Sequence, residues 1–86
     1  MNTGERLTVY TADWCGYCVR AKTLLNRHGV EYQERQVEGG HDLRETLKAE
    51  TGGSTFPQIV LDGETIGGYA ELVGLVRSGE LDVRLG

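Results

Sequence analysis

The chain has little proline, little cysteine and no long apolar run: its 86 residues contain one proline and two cysteines. Without eighteen consecutive apolar residues, no segment is expected to cross a membrane. The first residues have no apolar stretch behind a basic start, so no secretory signal is expected. Two cysteines are too few for the disulfide framework that stabilises small secreted domains. We therefore expect a cytoplasmic protein made of one small domain, residues 1–86, with a core at about 7–79.

The charge balance argues against one class of partner. Thirteen acidic side chains against nine basic ones leave a net charge of −4. Nucleic-acid binding needs a dense basic surface to neutralise phosphates, and no segment supplies one. The four tyrosines also show no pattern suited to stacking on bases. We expect neither nucleic acid nor a membrane as a partner.

The first half of the chain predicts alternating strands and helices. Residues 7–11 alternate apolar and polar side chains, which indicates a strand. From Cys18 the apolar spacing becomes helical, with Ala21 and Leu25 on one side, and Gly29 is placed to end this helix. Residues 30–37 form a polar strand candidate. A second helix is expected to close near Gly52-Gly53.

The second half adds a hairpin and a third helix. Residues 56–61 read as a buried strand with proline at its start, and Asp62-Gly63 signals a tight turn into a short strand at 64–66. Gly67-Gly68 precedes the third helix, and residues 79–86 are expected to be a tail of weak structure. The order β-α-β-α-β-β-α predicts an α/β fold, a four-stranded mixed sheet with helices on both faces.

Both cysteines lie in one run, Trp14-Cys15-Gly16-Tyr17-Cys18, where a strand gives way to a helix. A thiol at a helix start faces the positive end of the dipole, which lowers its pKa from about 8.5 to roughly 3.5–7.5. Since the thiolate is the attacking species in disulfide exchange, Cys15 is the predicted nucleophile. Cys18, one turn deeper and protonated, is predicted to resolve the mixed disulfide. Gly16 leaves room and a flexible backbone between the sulfurs, and Tyr17 flanks the site.

Two other interpretations of the pair were weighed. Zinc usually takes four ligands, and the two histidines lie at no familiar spacing from the cysteines, so no metal site is predicted. A pair of unreactive buried cysteines is the other alternative. The preceding strand, the following helix and the later strand that begins with proline favour redox chemistry over both.

The chain resembles the glutaredoxins, which have the thioredoxin fold, over about residues 7–79. Three motifs carry the resemblance. They are Cys15-Gly16-Tyr17-Cys18, then Thr55-Phe56-Pro57-Gln58, then Asp62-Gly63 followed by Ile66-Gly67-Gly68. Glycine after the first cysteine also appears in mycoredoxins. Ala12, Gly53 and Ala70 stand near positions where many family members have charged residues.

The resemblance implies a binding site for a thiol compound. It implies that Pro57 is cis and packs beside the cysteines, so that the main chain of Phe56 pairs with an extended thiol peptide. It also implies that Gly67 and Gly68 bring the start of the third helix to the ligand, where its N–H groups hold a carboxylate. The predicted thiol-binding residues are Trp14, Gly16, Tyr17, Thr55, Phe56, Pro57, Gly67, Gly68, Tyr69 and Glu71.

The function expected from motifs and resemblance is a dithiol oxidoreductase of electron transport and cell redox homeostasis. It would act as a monomer on disulfide-containing or thiol-capped proteins. No cofactor is expected to be permanently bound, and glutathione or mycothiol would be the reducing co-substrate. Two alternatives stay open. A flavin-dependent reductase could supply the electrons, or the protein could carry a [2Fe–2S] cluster on Cys15 and glutathione, as relatives with glycine after the first cysteine do.

Overall fold

Four strands and four helices make up the computed structural model, which describes residues 6–12, 15–37, 43–53 and 55–85. Along the chain they are β1 (Leu7–Thr11), α1 (Gly16–Arg27), β2 (Gln33–Gln36), α2 (Leu43–Thr51), β3 (Gln58–Leu61), β4 (Glu64–Gly67), α3 (Tyr69–Ser78) and α4 (Glu80–Leu85). The predicted order of elements is confirmed up to α3.

The strands form one mixed sheet in the order β2-β1-β3-β4. β1 runs parallel to β2, with Val9 opposite Glu34, and antiparallel to β3, with Val9 opposite Ile59. β3 and β4 pair as an antiparallel hairpin. Its turn places Asp62 at φ 52° and Gly63 at φ 82°, the left-handed conformations that a tight hairpin turn requires. The predicted four-stranded mixed sheet is confirmed.

The core forms where β1 and β3 meet the helices. In β1 every second residue, Leu7, Val9 and Thr11, is buried, because successive side chains of a strand point to opposite faces. Ala21 and Leu25 of α1 are fully buried one turn apart. The fully packed cluster comprises Leu7, Val9, Ala21, Leu25, Ile59, Leu61, Leu72 and Leu81.

Glycines end the helices as predicted. Gly29 follows α1 at φ 67°, and Gly52 follows α2 at φ 82°, both in the left-handed region that favours glycine. Two strands are shorter than predicted: β2 covers only Gln33–Gln36, and β3 begins at Gln58, after the Phe56–Pro57 bond.

The expectation of a weakly structured tail was wrong. The segment Glu80–Leu85 is a helix, and its Leu81 is buried in the core. Arg6 fixes this helix to the hairpin: its guanidinium donates to the carbonyl of Arg84 at 2.9 Å and is paired with Asp62 at 2.8 Å. This pairing raises the pKa of Arg6 and lowers that of Asp62. None of the described helices is long and apolar enough to span a bilayer.

Candidate functional site

Cys15 stands at the start of α1 as its N-cap. Its backbone is extended, at φ −92° and ψ 106°, and its sulfur accepts the N–H of Cys18 at 3.2 Å. The sulfur thus takes the place of the oxygen that usually caps a helix, where it meets the positive end of the dipole. Both cysteines are free thiols, and Cys15 is 7% exposed against 1% for Cys18. The first sulfur is therefore the one nearer to solvent, as predicted.

Cys18 is held in its protonated form. Burial, followed by a hydrogen bond with Cys15, raises the pKa of the Cys18 thiol to about 12, whereas the positive charge of Lys22 opposes the shift. Burial acts in this direction because it disfavours the charged form. The raised pKa favours a protonated Cys18 at neutral pH, and the part that this thiol plays in catalysis stays a prediction.

Lys22 belongs to a small polar network behind Cys18. Its ammonium lies 3.0 Å from the carboxylate of Glu34, which also accepts the hydroxyl of Thr11 at 2.7 Å. The hydrogen bonds from Thr11 and Lys22 lower the pKa of Glu34, and Glu34 in turn raises the pKa of Lys22. The network fixes a positive charge one helical turn beyond Cys18. Sequence analysis did not find it, because Glu34 comes from a neighbouring strand.

Phe56 and Pro57 adjoin the cysteines. The Phe56–Pro57 bond is cis, as the resemblance implied. Phe56 packs against a small buried cluster made by Ala12, Cys15 and Cys18, and Pro57 is itself fully buried. The segment that directly precedes β3 therefore forms one wall beside the thiols.

A groove of about 300 Å³, called here the thiol groove, opens next to this wall. Tyr17 of α1 and Tyr69 of α3 face each other there, with ring centroids 5.7 Å apart. The groove is lined by Tyr17, Thr55, Phe56, Pro57, Gly68, Tyr69, Ala70 and Glu71.

The thiol groove brings together seven of the ten predicted thiol-binding residues. Of the other three, Gly16 lines an adjoining hollow with Tyr17 and Arg20, and Gly67 directly precedes the groove. Trp14 lies outside the described residues. Ala70 was not a predicted site residue. The binding role of each residue stays a prediction.

The start of α3 borders the thiol groove and holds an acceptor of its own. Gly68 is the N-cap, and its N–H donates to the carboxylate of Glu71 at 3.3 Å. Gly67 has φ +129°, and a Cβ there would lie 2.7 Å from Oε1 of Glu71. Gly67 is therefore favoured at this position by its positive φ and by the close approach of the Glu71 carboxylate to the backbone. Among the residues that the structure describes, no group of three His, Cys, Asp or Glu side chains is placed to hold a metal ion.

The sequence and the fold of this chain are similar to those of one family. The family model described as Glutaredoxin matches residues 7–66. A glutaredoxin of Pseudomonas aeruginosa is 43% identical over 79 residues, which cover 92% of this chain and 94% of the relative. The chain belongs to the glutaredoxin family. Glutaredoxins are thiol-disulfide oxidoreductases, and so is this protein.

Other glutaredoxins agree over most of the chain. Glutaredoxin 3 of Escherichia coli strain K12 is 42% identical over 74 residues, 86% of this chain and 89% of its own. Among solved structures, the buckwheat glutaredoxin-glutathione complex has a TM-score of 0.80 at 31% identity, covering 96% of this chain and 79% of that one. The solution structure of the Brucella melitensis glutaredoxin has a TM-score of 0.76 at 38% identity, covering 93% and 87%. The predicted thioredoxin-like fold is confirmed.

Proposed function

We propose that this glutaredoxin reduces protein disulfides and protein-thiol mixed disulfides by a dithiol route in which Cys15 attacks and Cys18 resolves. The observation that carries the proposal is the position of the Cys15 sulfur, which accepts the first-turn N–H of Cys18 at 3.2 Å. A helix start stabilises negative charge on such a sulfur, and the thiolate is the nucleophile of disulfide exchange. Cys18, buried and protonated, does not compete for the substrate.

The first step exchanges one disulfide for another. The Cys15 thiolate attacks one sulfur of the substrate disulfide, the substrate S–S bond breaks, and the second substrate sulfur leaves as a thiolate that takes up a proton. Cys15 is then joined to the substrate by a new S–S bond, and no electrons leave the pair of reactants. The walls of the thiol groove formed by Tyr17 and Phe56 would flank this mixed disulfide.

The second step uses a change in the surroundings of Cys18. The hydrogen bond and charge of Cys15 both raise the pKa of Cys18 in the reduced protein. Once Cys15 is in a mixed disulfide, its sulfur has no charge, so both effects fade while Lys22 still favours a Cys18 thiolate. Cys18 loses its proton and attacks the Cys15 sulfur. A Cys15–Cys18 disulfide forms, and the substrate leaves as a reduced thiol.

Glutathione is the proposed electron donor. Glutaredoxins use glutathione as a co-substrate, and one structural neighbour is a glutathione complex. Two glutathione molecules would restore the dithiol and leave as glutathione disulfide, which balances the two electrons given to the substrate. We place the reaction in the reducing cytoplasm, with the protein acting as a monomer. Mycothiol and a flavin-dependent reductase are the alternative donors.

Single cysteine variants test the proposal. We expect Cys15→Ser to lose reduction of both a protein disulfide and a glutathione-capped protein, by roughly a hundredfold or more, because serine is a far weaker nucleophile. Cys18→Ser should keep activity on the capped protein and lose it on the disulfide. A second measurement compares three electron donors for the wild type: glutathione, mycothiol, and NADPH plus a flavin-dependent reductase. Glutathione should give the highest turnover rate. Full activity of Cys15→Ser would refute the assignment.

A further inference from the structure

A second groove lies along α1 and shares Tyr69 with the thiol groove. It has a volume of about 240 Å³ and is called here the arginine groove. Arg20 and Arg27 are seven residues apart in one helix, so they share a face at a separation of roughly 10 Å along the axis. The arginine groove is lined by Val19, Arg20, Thr23, Leu24, Arg27 and Tyr69.

The arginine groove adjoins the thiol groove at Tyr69, and Arg20 connects it to Tyr17. The guanidinium carbon of Arg20 lies 5.3 Å from the ring centroid of Tyr17, a cation-π contact. Tyr17 also lines the thiol groove, and Tyr69 lines both grooves. A chain segment whose cysteine reaches Cys15 could therefore continue past the two tyrosines and along α1.

The two arginines of this groove differ from four other cations of the molecule. Arg6, Lys22, Arg35 and Arg84 each lie within 3.3 Å of a carboxylate. In the part of the chain that the structure describes, neither arginine of the groove has a carboxylate within 4 Å, and both are exposed.

The protein as a whole is acidic, with a net charge of −4. Lys48 and Arg77 are also exposed and without a carboxylate within 4 Å in the described part of the chain, but they line neither groove, whereas Arg20 and Arg27 line the arginine groove together. Between the two arginines lies Leu24, and Val19, next to Arg20, is 59% exposed and offers an apolar contact. Unpaired charge beside exposed apolar surface is typical of a binding surface with a polar rim.

We infer that the arginine groove docks an acidic segment of the substrate protein, next to the cysteine that Cys15 attacks. The segment would place two carboxylates about 10 Å apart, one at Arg20 and one at Arg27, with an apolar side chain between them on Leu24. This inference rests on the proposed function, since docking has a purpose only if Cys15 reacts with protein substrates. Two cations on an acidic protein suit a peptide better than a phosphate polymer, which needs a dense basic surface.

Complementary charges at a rim mainly raise the association rate and select the partner. The inference therefore predicts a substrate preference that falls as salt screens the charges. The probes are two synthetic peptides, each carrying one cysteine capped with glutathione. One peptide has two aspartates spaced for the arginines, and the other has asparagines in their place. We expect the wild type to favour the acidic peptide about fivefold in kcat/KM at low salt, through KM.

Single and double variants test whether the two arginines cause the preference for the acidic peptide. Arg27→Gln should lower the ratio of acidic to neutral peptide to about half its value, and Arg20→Gln/Arg27→Gln should bring it close to one. The ratio cancels any effect of Arg20 on Tyr17 that is common to both peptides. Arg27→Lys should retain most of the preference. Lys48→Gln is the matched control, because Lys48 is an exposed cation on α2 that lines neither groove.

The outcomes separate this inference from the proposed function. If Cys15→Ser still reduces both peptides, the proposed function fails and the docking inference with it. If Cys15→Ser is inactive but the double variant keeps the wild-type preference, only the docking inference fails. A wild type with no preference at low salt overturns it as well. The docking inference is also overturned if a single-stranded oligonucleotide binds at the two arginines and the acidic peptide does not.

Discussion

At the start of two helices of this glutaredoxin, a backbone N–H donates to a nearby side chain. The two side chains differ in chemistry. At α1 the acceptor is the sulfur of Cys15, 3.2 Å from the nitrogen of Cys18. At α3 it is the carboxylate of Glu71, 3.3 Å from the nitrogen of Gly68. Cys15 precedes its helix and is nearly buried, whereas Glu71 lies within its helix, reaches back, and is exposed.

The difference shows that the positive end of a helix dipole can have two roles. A helix start favours negative charge on whatever group is held there. A carboxylate provides that charge without taking part in a reaction, so Glu71 can stabilise the helix start by its charge alone. A thiol can lose or regain the charge and can form a bond while it does so. The residue type at the first turn therefore decides whether the dipole supports a fold or a reaction.

The largest expected effect is the difference in reactivity between Cys15 and Cys18. At pH 8 a thiol with a pKa of about 12 is ionised in roughly one molecule in ten thousand. A thiolate of high pKa is a stronger nucleophile, which offsets part of this deficit. We expect iodoacetamide to label Cys18 at least about tenfold more slowly than Cys15. Labelling of Cys18 should keep rising as the pH approaches 12, because its thiolate fraction is still growing.

Limited labelling of the reduced protein followed by mass spectrometry measures this. Trypsin releases both cysteines in one peptide, residues 7–20, and fragmentation between Cys15 and Cys18 assigns the label. Labelling in concentrated urea is the control, since unfolding removes the helix and the burial and should equalise the two rates. Equal labelling in the folded protein would contradict the distinction between the two cysteines.

The next largest expected effect is the change in the free energy of unfolding when the glycine at each helix start is replaced by alanine. Gly67→Ala should destabilise the fold by about 1–3 kcal/mol, because φ is +129° there and the new Cβ would lie against Glu71. Gly16→Ala should be neutral or stabilise by up to about 1 kcal/mol, since nothing lies within 4 Å and alanine favours a helix. Urea unfolding of both variants makes the comparison, with Gly16→Ala as the matched control. Similar losses in both would contradict the account of the α3 start.

The parts of the fold that were predicted correctly depend on short-range patterns. Apolar alternation gave β1, and Asp62-Gly63 gave the hairpin, because a tight turn needs the left-handed φ values of 52° and 82° seen there. The cysteine pair was found in the same way, since its chemistry follows from spacing and from the helix that begins at Gly16. The cis bond before Pro57 came from family resemblance and not from the residues themselves.

The parts that were missed depend on residues distant in sequence. α4 has six residues, too few to show a helical pattern, and it is fixed by Arg6, which lies 78 residues from Arg84. The charge near Cys18 depends on Lys22 and on Glu34 from a neighbouring strand. The grouping of Arg20 and Arg27 along one groove was not predicted. Only the folded chain shows which cations have carboxylates beside them and which line a groove next to the thiols.

The smallest effect concerns the carboxylate of Glu71 and completes the comparison of the two starts. Glu71→Ala should lower the free energy of unfolding by about 0.5–1 kcal/mol, because the first N–H of α3 loses its acceptor and the helix start loses a negative charge. Glu71→Gln separates the two causes, since its amide oxygen still accepts the hydrogen bond without the charge, and its loss should be about half as large. Urea unfolding at low and at high salt measures both variants, and only the charge contribution should shrink with salt. A loss above about 2 kcal/mol in Glu71→Ala would show that this carboxylate does more than cap a helix, and the contrast with Cys15 would then have to be drawn differently.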